Sequence, residues 1–301
     1  MRKTADAARG KWRGILQLLG VDKDHLTGKH GPCPMCGGTD RFRFDNDKGN
    51  GTYICGQCGA GNGFDFLMKM QGWTFQEAAT EVDKVLGEAK PEPVKKEIDP
   101  EYRRNLLNSL WTGSKPLGFG DPVDIYLRAR GVQITAYPEA LRFSGKCRAP
   151  NGKDYPAMLA MVTAWDGSAV SLHRTFLGCA GKADMPEPRA MMPGQLANGC
   201  CIRLSAVQKH IGIAEGIETA LRASELFNIP VWAVINSTMM QKWIAPVGVE
   251  QVTVFGDNDP MFGGQAAAYG VAHRLSVKGI KSSVEIPDRV GMDWADIEAA
   301  A

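Results

Sequence analysis

The pattern of apolar and polar positions changes twice along this chain of 301 residues. Before residue 90, apolar residues recur at helical spacing over 15–19, and again over 64–70 and 78–86. Spacings of three and four residues place such side chains on one face of a helix. We therefore expect one early helix, a cysteine-rich segment after it, and two closing helices.

The middle of the chain combines two predicted helices, over 101–110 and 122–130, with a predicted β-hairpin. The hairpin would pair 155–165 with 169–177, because Asp166 and Gly167 between apolar runs favour a tight reversing turn. The charged run 90–97 contains two prolines and little that can be buried, so we expect a linker there.

In the last ninety residues, short apolar runs alternate with helical stretches. The runs occupy 211–214, 231–235, 252–255 and 283–286, and the helical stretches occupy 217–227, 238–244 and 264–278. This alternation predicts a mainly parallel sheet covered by helices. Functional side chains in such sheets gather where strands end at their carboxyl side.

Composition and charge narrow the class of protein. Hydrophobic content of 44%, charged content of 23% and a net charge of +2 exclude a disordered, collagen-like or histone-like chain. Residues 98–210 carry 14 basic and 9 acidic groups, whereas 211–301 carry 6 and 11. A basic region beside an acidic one suits a polyanion held near metal-binding carboxylates, although such differences also arise between parts of many proteins. With no secretory segment and no long apolar run, we expect a cytoplasmic protein without a membrane partner.

Four cysteines form two close pairs, Cys33 with Cys36 and Cys55 with Cys58, separated by 18 residues. This spacing predicts one structural Zn²⁺ held by four thiolates, the alternative being unligated buried thiols. His30 could substitute as a ligand, but we expect it to face solvent. The remaining cysteines are expected to be ordinary thiols: Cys147, Cys179, Cys200 and Cys201.

Between the cysteine pairs, basic and aromatic residues alternate. Arg41 and Arg43 should lie on one face of a ribbon, and Phe42 and Phe44 on the other. A basic and aromatic ribbon suits single-stranded DNA, since phosphates pair with arginine and bases stack on rings. The alternative is that both phenylalanines form the small core of the ribbon.

Carboxylates follow three strands of the predicted parallel sheet. They are Glu215, Glu218, Asp257, Asp259, Asp293 and Asp296. Clustered carboxylates repel one another unless cations neutralise them, and Mg²⁺ or Mn²⁺ prefer such oxygen ligands. Two such ions can orient a nucleophile and support the leaving oxygen of a phosphoryl transfer. The alternative for residues 257–260 is an ordinary surface turn.

Two of these motifs carry a family resemblance. Glu215-Gly216, Asp257-x-Asp259 and the later acidic pair resemble the Toprim domain of bacterial-type primases, topoisomerases and certain nucleases. A four-cysteine module followed by 64–68, ahead of such a domain, is similar to phage and plasmid primases, especially the first half of satellite-phage primase-helicases. The runs 126–131, 173–177 and 181–182, and a strand over 199–204, also resemble the segment that precedes Toprim in that group.

The resemblance implies roles for individual residues. Glu215, Asp257 and Asp259 would be the catalytic, metal-binding carboxylates, and Glu218, Asp293 and Asp296 would bind a second metal ion or support the first. Arg174, Lys182 and Arg189 would hold the incoming nucleotide or the template, arginine being suited to bidentate phosphate binding. The final pair departs from the family in being Asp-x-x-Asp, which leaves the ligands of the second ion open.

The sequence thus predicts a multidomain α/β protein with an N-terminal zinc ribbon, an α+β middle region and a C-terminal Toprim-like domain. The expected boundaries are 1–88, a linker over 89–100, then 101–209 and 210–301. The resemblance implies a DNA primase that makes RNA primers from ribonucleoside triphosphates on single-stranded DNA, with one zinc and two or more catalytic magnesium or manganese ions. Because the sequence has no Walker-type phosphate loop, a helicase would act in trans. The alternatives are a Toprim nuclease and a catalytically inactive single-stranded-DNA-binding replication protein.

Overall fold

The computed structural model describes residues 2–92, 99–179, 181–194 and 196–297. The chain divides into two compact units, with the division between residues 97 and 98. Residues 93–98 of the expected linker lie outside the described residues, and the expected domain boundaries remain predictions.

The first unit combines four helices with a small antiparallel sheet. The helices are α1 (Arg2–Ala8), α2 (Trp12–Leu18), α3 (Gly63–Gln71) and α4 (Phe75–Val85). The strands are β1 (Gly31–Cys33), β2 (Gly37–Phe44), β3 (Tyr53–Cys55) and β4 (Gly59–Gly61), and they pair in chain order. The early helix and the two closing helices expected from the sequence are all present.

Local sequence explains where the closing helices begin. The side chain of Asn62 accepts from the amides of Phe64 and Asp65, while Asp65 accepts in return from the amide of Asn62. Thr74 and Glu77 form the same reciprocal arrangement at the start of α4. These capping boxes satisfy amides that the first helical turn leaves without partners. Both helices can therefore pack their apolar faces on the sheet from a fixed starting point.

The second unit begins with a five-stranded antiparallel sheet whose strands follow chain order. Its strands are β5 (Lys115–Pro116), β6 (Leu141–Arg148), β7 (Asp154–Thr163), β8 (Ala169–Phe176) and β9 (Arg189–Met191). Helices α5 (Pro100–Thr112) and α6 (Pro122–Ala129) accompany it. The predicted hairpin is confirmed as β7 paired with β8, with Gly167 at a φ of 88° in the turn.

A four-stranded parallel sheet completes the second unit, with strand order β11-β10-β12-β13. Its strands are β10 (His210–Ala214), β11 (Val231–Ala233), β12 (Gln251–Phe255) and β13 (Lys281–Glu285). Helices α7 (Ile217–Phe227), α8 (Ser237–Lys242) and α9 (Gly263–Val277) connect them. The predicted parallel α/β domain is confirmed in its element order.

Two clusters of buried apolar side chains, one on each face, stabilise this sheet. One cluster of buried side chains joins the sheet to α6, α7 and β7, and it includes Tyr126, Met158, Leu221 and Phe255. The other joins the opposite face to α8 and α9 and includes Trp232, Met240 and Leu275. The antiparallel sheet is thereby packed beside the helix that follows β10.

The strand expected over 199–204 is a short bridge between the two sheets. Cys201 pairs with Thr163 beside β7, and the next residue, Ile202, pairs with Ala233 on β11. The run is apolar because it is buried between the sheets, with Cys200 fully buried, and its hydrogen bonds go to two different partners. Among the helices that the structure describes, none has the length and apolar character needed to cross a bilayer.

Candidate functional site

The four cysteines of the first unit meet at one end of the ribbon. Their Sγ atoms all lie within 4.8 Å of one another, with Cys33 3.9 Å from Cys58 and Cys36 3.6 Å from Cys55. The amides of Gln57 and Cys58 donate to the Sγ of Cys55 at 3.5 and 3.4 Å. Four thiolates at this spacing, with amides directed at the sulfur, are the donor set that tetrahedral Zn²⁺ takes in structural sites.

Arginine and phenylalanine side chains alternate between the two faces of the ribbon, as expected. The phenylalanines, however, do not have the expected role in stacking on DNA bases. Phe42 and Phe44 are buried in the core of the unit, where the ring of Phe42 stacks on Tyr53. Their rings are therefore closed to nucleic-acid bases, and the alternative reading of both as core residues is the right one. Arg41 is exposed, and Arg43 pairs with Asp45 at 2.5 Å. His30 is exposed, as expected, and contacts Arg43.

The parallel sheet brings carboxylates together at the carboxyl ends of its two central strands. Ala214 of β10 and Phe255 of β12 are register partners. Glu215, which follows β10, therefore lies beside the residues that follow β12. Asp257 and Asp259 follow β12 after one further residue. The adjacency predicted from the strand order along the chain is thus present in space.

Two backbone hydrogen bonds bring the final acidic pair to the same edge. The amide of Asn258 donates to the carbonyl of Met292 at 3.0 Å, and the amide of Gly291 donates to the carbonyl of Asn258 at 2.6 Å. Asp293 directly follows this connection. It also begins a 3₁₀ turn (Trp294–Asp296) in which Asp293 and Asp296 form a reciprocal capping box.

Asp257 lies at the centre of the cluster. Burial raises the pKa of Asp257 to about 7, and the negative charges of Glu215, Asp293, Asp259 and Asp296 add to the rise. Burial also raises the pKa of Glu215, with Asp259 as the next cause. The Oδ1 atom of Asp257 is buried and has no hydrogen-bond partner. The edge therefore holds more negative charge than its own donors can balance.

A hard divalent cation fits this arrangement. An unpartnered buried carboxylate oxygen among repelling carboxylates is the donor chemistry that Mg²⁺ and Mn²⁺ accept. Among the residues that the structure describes, however, only the cysteines bring three or more ligand atoms within 4.8 Å. The carboxylate oxygens are thus too widely spaced to surround an ion completely. This spacing suits Mg²⁺, because Mg²⁺ retains several water ligands when it binds a protein.

The loop that follows β12 is held by groups that the sequence analysis missed. The Oδ2 atom of Asp259 accepts from the amide of Gly264 at 2.7 Å, near the start of α9. A Cβ on Gly264 would lie 2.6 Å from the carbonyl oxygen of Asp257, so only glycine fits there. The side chain of Gln265 donates to Asn258 and to the Asp259 carbonyl. The sequence signal for this loop is the Gly-Gly-Gln run at 263–265.

A strained turn supports Glu215 from the neighbouring strand. Ile235, just after β11, has a φ of 75°, a conformation that β-branched residues rarely adopt. The amide of Asn236 donates to the carbonyl of Val234 across it at 2.9 Å, which makes a γ-turn. The charge of Arg189 and, less strongly, the nearby amide of Ser237 oppose the rise in the pKa of Glu215. Strain of this kind persists where the surroundings enforce it, and functional sites are frequent examples.

Glu218 shares a recess with Glu215, but its side chain is held by other residues, and its expected role as a metal-binding or supporting group remains a prediction. It is 3% exposed, its Oε1 accepts from the hydroxyl of Tyr126, and its Oε2 accepts from Arg189 at 3.0 Å. Burial opposes ionisation, but Arg189 and Tyr126 together hold the pKa of Glu218 well below its ordinary value. Both oxygens are therefore already bound by side chains from other parts of the unit.

Basic side chains face the carboxylates from the antiparallel sheet and α6. Burial lowers the pKa of Lys182, and the nearby charge of Arg189 lowers it further. Arg130, which follows α6, reaches Asp293 at 3.5 Å and Asp296 at 3.2 Å. The structure thus brings Lys182 and Arg189 to the site, as expected, and adds Arg130. Arg130 lay within the run 126–131 that carried the resemblance, but it had been given no role there.

Arg174 is not at the carboxylate edge, although the resemblance placed it with Lys182 and Arg189. Neighbouring residues of a strand point to opposite faces, and His173 faces the recess that contains Glu215 and Glu218. Arg174 consequently lies on the other face of the sheet. There its Nη1 donates to the carbonyl of Arg148 at 2.7 Å and its Nη2 to that of Met191 at 2.9 Å.

Comparison with known families agrees with both sites. Residues 28–64 match the zinc-binding domain of primase-helicase, and residues 210–301 match the Toprim domain. Residues 101–204 match a domain of unknown function, DUF7146. The chain therefore carries a segment that matches the zinc-binding domain of primase-helicase ahead of a segment that matches the Toprim domain.

Solved structures similar to this chain include bacterial and phage primases. The zinc-binding and RNA polymerase domains of the Aquifex aeolicus primase are 13% identical, with 94% of this chain and 79% of that chain covered and a TM-score of 0.42. The primase fragment of the bacteriophage T7 primase-helicase is 15% identical, with coverages of 89% and 93% and a TM-score of 0.39. A Pseudomonas aeruginosa primase domain is 13% identical, with coverages of 61% and 60% and a TM-score of 0.35.

Proposed function

We propose that this protein is a DNA primase that joins ribonucleotides on a single-stranded DNA template at the carboxylate edge of its parallel sheet. The observation that carries the proposal is Asp257. It follows a central parallel strand, it is surrounded by four carboxylates, and its buried Oδ1 has no partner. It lies in a segment that matches the Toprim domain, behind a segment that matches a primase-type zinc-binding domain.

Glu215, Asp257 and Asp259 would hold a divalent metal ion, with Asp293 and Asp296 available to a second. When bound, Mg²⁺ or Mn²⁺ supplies electrostatic stabilisation of the charge that develops on the transferring phosphoryl group. The protein contributes the position of the carboxylates, because Asp257 follows a strand that is hydrogen-bonded on both sides. Asp259 is fixed by the amide of Gly264, which donates to its Oδ2 at 2.7 Å.

Lys182, Arg189 and Arg130 would bind the phosphates of the incoming ribonucleotide. They lie beside the carboxylates on the basic part of the second unit, so substrate phosphates would lie between positive and negative walls. The 3′-hydroxyl oxygen of the growing strand attacks the α-phosphorus of the incoming nucleotide. A new P–O bond forms as the bond to the β-phosphate oxygen breaks, pyrophosphate leaves, and the hydroxyl proton passes to water.

The zinc-binding unit would contact the template through its exposed basic face. Arg41 is exposed, whereas both phenylalanines of the ribbon are buried, so phosphate pairing replaces base stacking as the means of contact. Binding that depends on phosphate pairing weakens as salt concentration rises, because it releases counterions. We expect Arg41→Ala to weaken DNA binding and to make it less dependent on salt.

The direct test is primer synthesis with single-stranded DNA, labelled ribonucleotides and Mg²⁺, using wild type, Asp257→Asn and Asp288→Asn. Asp288 serves as the control because it is an exposed aspartate that follows the neighbouring strand, β13. We expect short labelled products from wild type and from the control. The Asp257 variant should lose about a hundredfold or more, as expected when several kcal/mol of metal-ion stabilisation are removed.

Other outcomes would contradict the proposal in distinct ways. Cleavage of the template would indicate a Toprim nuclease. DNA binding without any product from wild type, equal with and without Mg²⁺, would indicate a binding protein. Synthesis retained by Asp257→Asn would remove Asp257 from the reaction.

A further inference from the structure

A cavity of about 730 Å³ lies on the face of the antiparallel sheet that points away from Glu218. Helix α5 contributes Leu106 and Leu110 to its wall, and the segment after β9 contributes Met192 and Pro193. Its volume lies within the range of roughly 300–1,000 Å³ that is common for sites that bind small molecules. Its wall is therefore large and apolar enough for the ring system of an organic ligand.

The base of this cavity contains a buried positive charge without a counter-ion. Arg174 is 8% exposed, and its two Nη atoms donate to neutral backbone carbonyls. Its Nε has no hydrogen-bond partner, and no carboxylate of the described residues lies within 4 Å of the guanidinium. A buried charge is costly unless an opposite charge compensates it. An anion in the cavity would provide that compensation.

Two further basic side chains stand at the mouth. Lys146 and Arg148, both from β6, share one acidic partner, Asp154, at 3.6 and 3.5 Å. Their side chains are 81% and 70% exposed, and both residues line the cavity. With Arg174, three positive groups surround the cavity against one carboxylate. The local charge therefore favours a ligand with more than one negative charge.

We propose that this cavity binds a nucleoside polyphosphate at a site separate from the carboxylate edge. The nucleoside would pack against Leu106, Leu110 and Met192, and the phosphates would pair with Lys146 and Arg148 above the charge of Arg174. An inorganic anion would leave the apolar wall uncovered, and an uncharged nucleoside would leave Arg174 uncompensated. Because the ligand is held by basic side chains alone, binding does not require a divalent metal ion.

A ligand in this cavity would contact residues that are connected to the carboxylate edge. The same guanidinium that lines the cavity donates to the Met191 carbonyl on β9. Two residues earlier on that strand, Arg189 pairs with Glu218 on the opposite side of the sheet. The cavity and the candidate active site therefore share a strand, while their ligand-binding groups remain distinct.

The test is calorimetric titration of the full protein with ATP in excess EDTA. The variants are Lys146→Ala/Arg148→Ala and Lys209→Ala. Lys209 is a matched control, since its side chain is 79% exposed and pairs with Glu250. We expect wild type and Lys209→Ala to bind ATP equally. The double variant should bind at least about tenfold more weakly, because it lacks charged hydrogen bonds to phosphate.

Further ligands and variants make the test decisive. Adenosine and inorganic triphosphate should each bind much more weakly than ATP, and Asp154→Asn should tighten ATP binding. No ATP binding in EDTA, or unchanged binding by a folded double variant, would overturn the proposal. It would also be overturned if a thymidine oligonucleotide bound these residues in preference to ATP. Failure of primer synthesis alone would not affect this result, since no step of the titration uses the carboxylates.

Discussion

Arg189 and Glu218 connect the two sheets of the second unit through one ion pair. Arg189 belongs to β9 of the antiparallel sheet, Glu218 belongs to the first turn of α7, and their atoms Nη2 and Oε2 are 3.0 Å apart. The hydroxyl of Tyr126, from α6, binds the other oxygen of Glu218. Three elements distant in sequence thus meet at one buried carboxylate.

Removal of the arginine should destabilise the second unit. Arg189→Met leaves the buried Glu218 without its counter-charge. Because the Arg189 side chain is itself 45% exposed, solvent screens part of the pairing, and we expect a cost of about 1–3 kcal/mol, below that of a fully buried pair. We expect the free energy of unfolding in urea to fall by on the order of that amount. As a comparison, Lys209→Met removes a pair whose partners are both exposed, and it should cost less than about 1 kcal/mol. Equal decreases in the free energy of unfolding from the two variants would show that the Arg189–Glu218 pair stabilises the protein no more than an exposed pair does.

His173 should make stability depend on pH. Burial lowers the pKa of His173 to about 4 from an ordinary value near 6.5, with the charges of Arg189 and Arg174 contributing and Glu218 opposing. Between these values the unfolded chain binds a proton that the folded protein does not, so the contribution of His173 to stability rises with pH from about 4 to 6.5. Asp257, whose pKa is raised to about 7, makes a contribution of opposite sign over the same range. The rise is at most about 3 kcal/mol, since one pKa unit corresponds to about 1.4 kcal/mol.

Urea unfolding across this pH range checks the expectation, with every protein carrying Asp257→Asn so that the opposing contribution of Asp257 is removed. His173→Gln should remove most of the rise, whereas His273→Gln, at an exposed position, should keep it. A rise that persists unchanged in the His173 variant would assign it to other groups.

Magnesium should stabilise the second unit through Asp257. In metal-free protein the repulsion around Asp257 is uncompensated, so Asp257→Asn should increase the melting temperature in EDTA. Wild type should gain stability on addition of Mg²⁺, because a ligand that binds only the folded state shifts the equilibrium towards it. The variant should gain much less. Thermal melts in EDTA and in Mg²⁺ measure both effects, and an equal gain in both proteins would place the ion elsewhere.

Loss of zinc should affect the first unit selectively. Cys36→Ser removes one of four thiolates, and structural zinc contributes directly to folding, so we expect loss of bound zinc and of the fold of the first unit. The control is Cys179→Ser, an exposed thiol outside the cluster, which should retain one zinc per chain. Zinc content by atomic emission and unfolding by calorimetry test this. A Cys36 variant that keeps its zinc would disprove the assignment.

The parts of the site that the sequence predicted depend on local pattern. The paired cysteines and the residues that follow β10 and β12 could be located because motif spacing and strand ends are visible along the chain. The adjacency of Glu215 and Asp257 then follows from the parallel register. Capping residues such as Asn62 similarly mark helix starts without knowledge of tertiary structure.

The parts that the sequence missed depend on contacts between distant residues. Glu218 has the same residue type and nearly the same position as Glu215, but Tyr126 and Arg189 occupy its oxygens. Arg174 and His173 are neighbours, and only the packing of β8 decides which of them faces the carboxylates. For the same reason, the sequence could not decide whether Phe42 and Phe44 are buried. Alternation along a strand separates its two faces but does not show which face packs against the rest of the unit.

The carboxylate edge is held unequally on its two sides. Glu215 and Asp257 follow β10 and β12, each with a strand on both sides, whereas Asp293 and Asp296 come after β13 at the border of the sheet. The final acidic pair is instead held by the two backbone hydrogen bonds that join Asn258 to 291–292 and by Arg130, which reaches both carboxylates. Loss of Arg130 would therefore disturb Asp293 and Asp296 while leaving Glu215 and Asp257 in place.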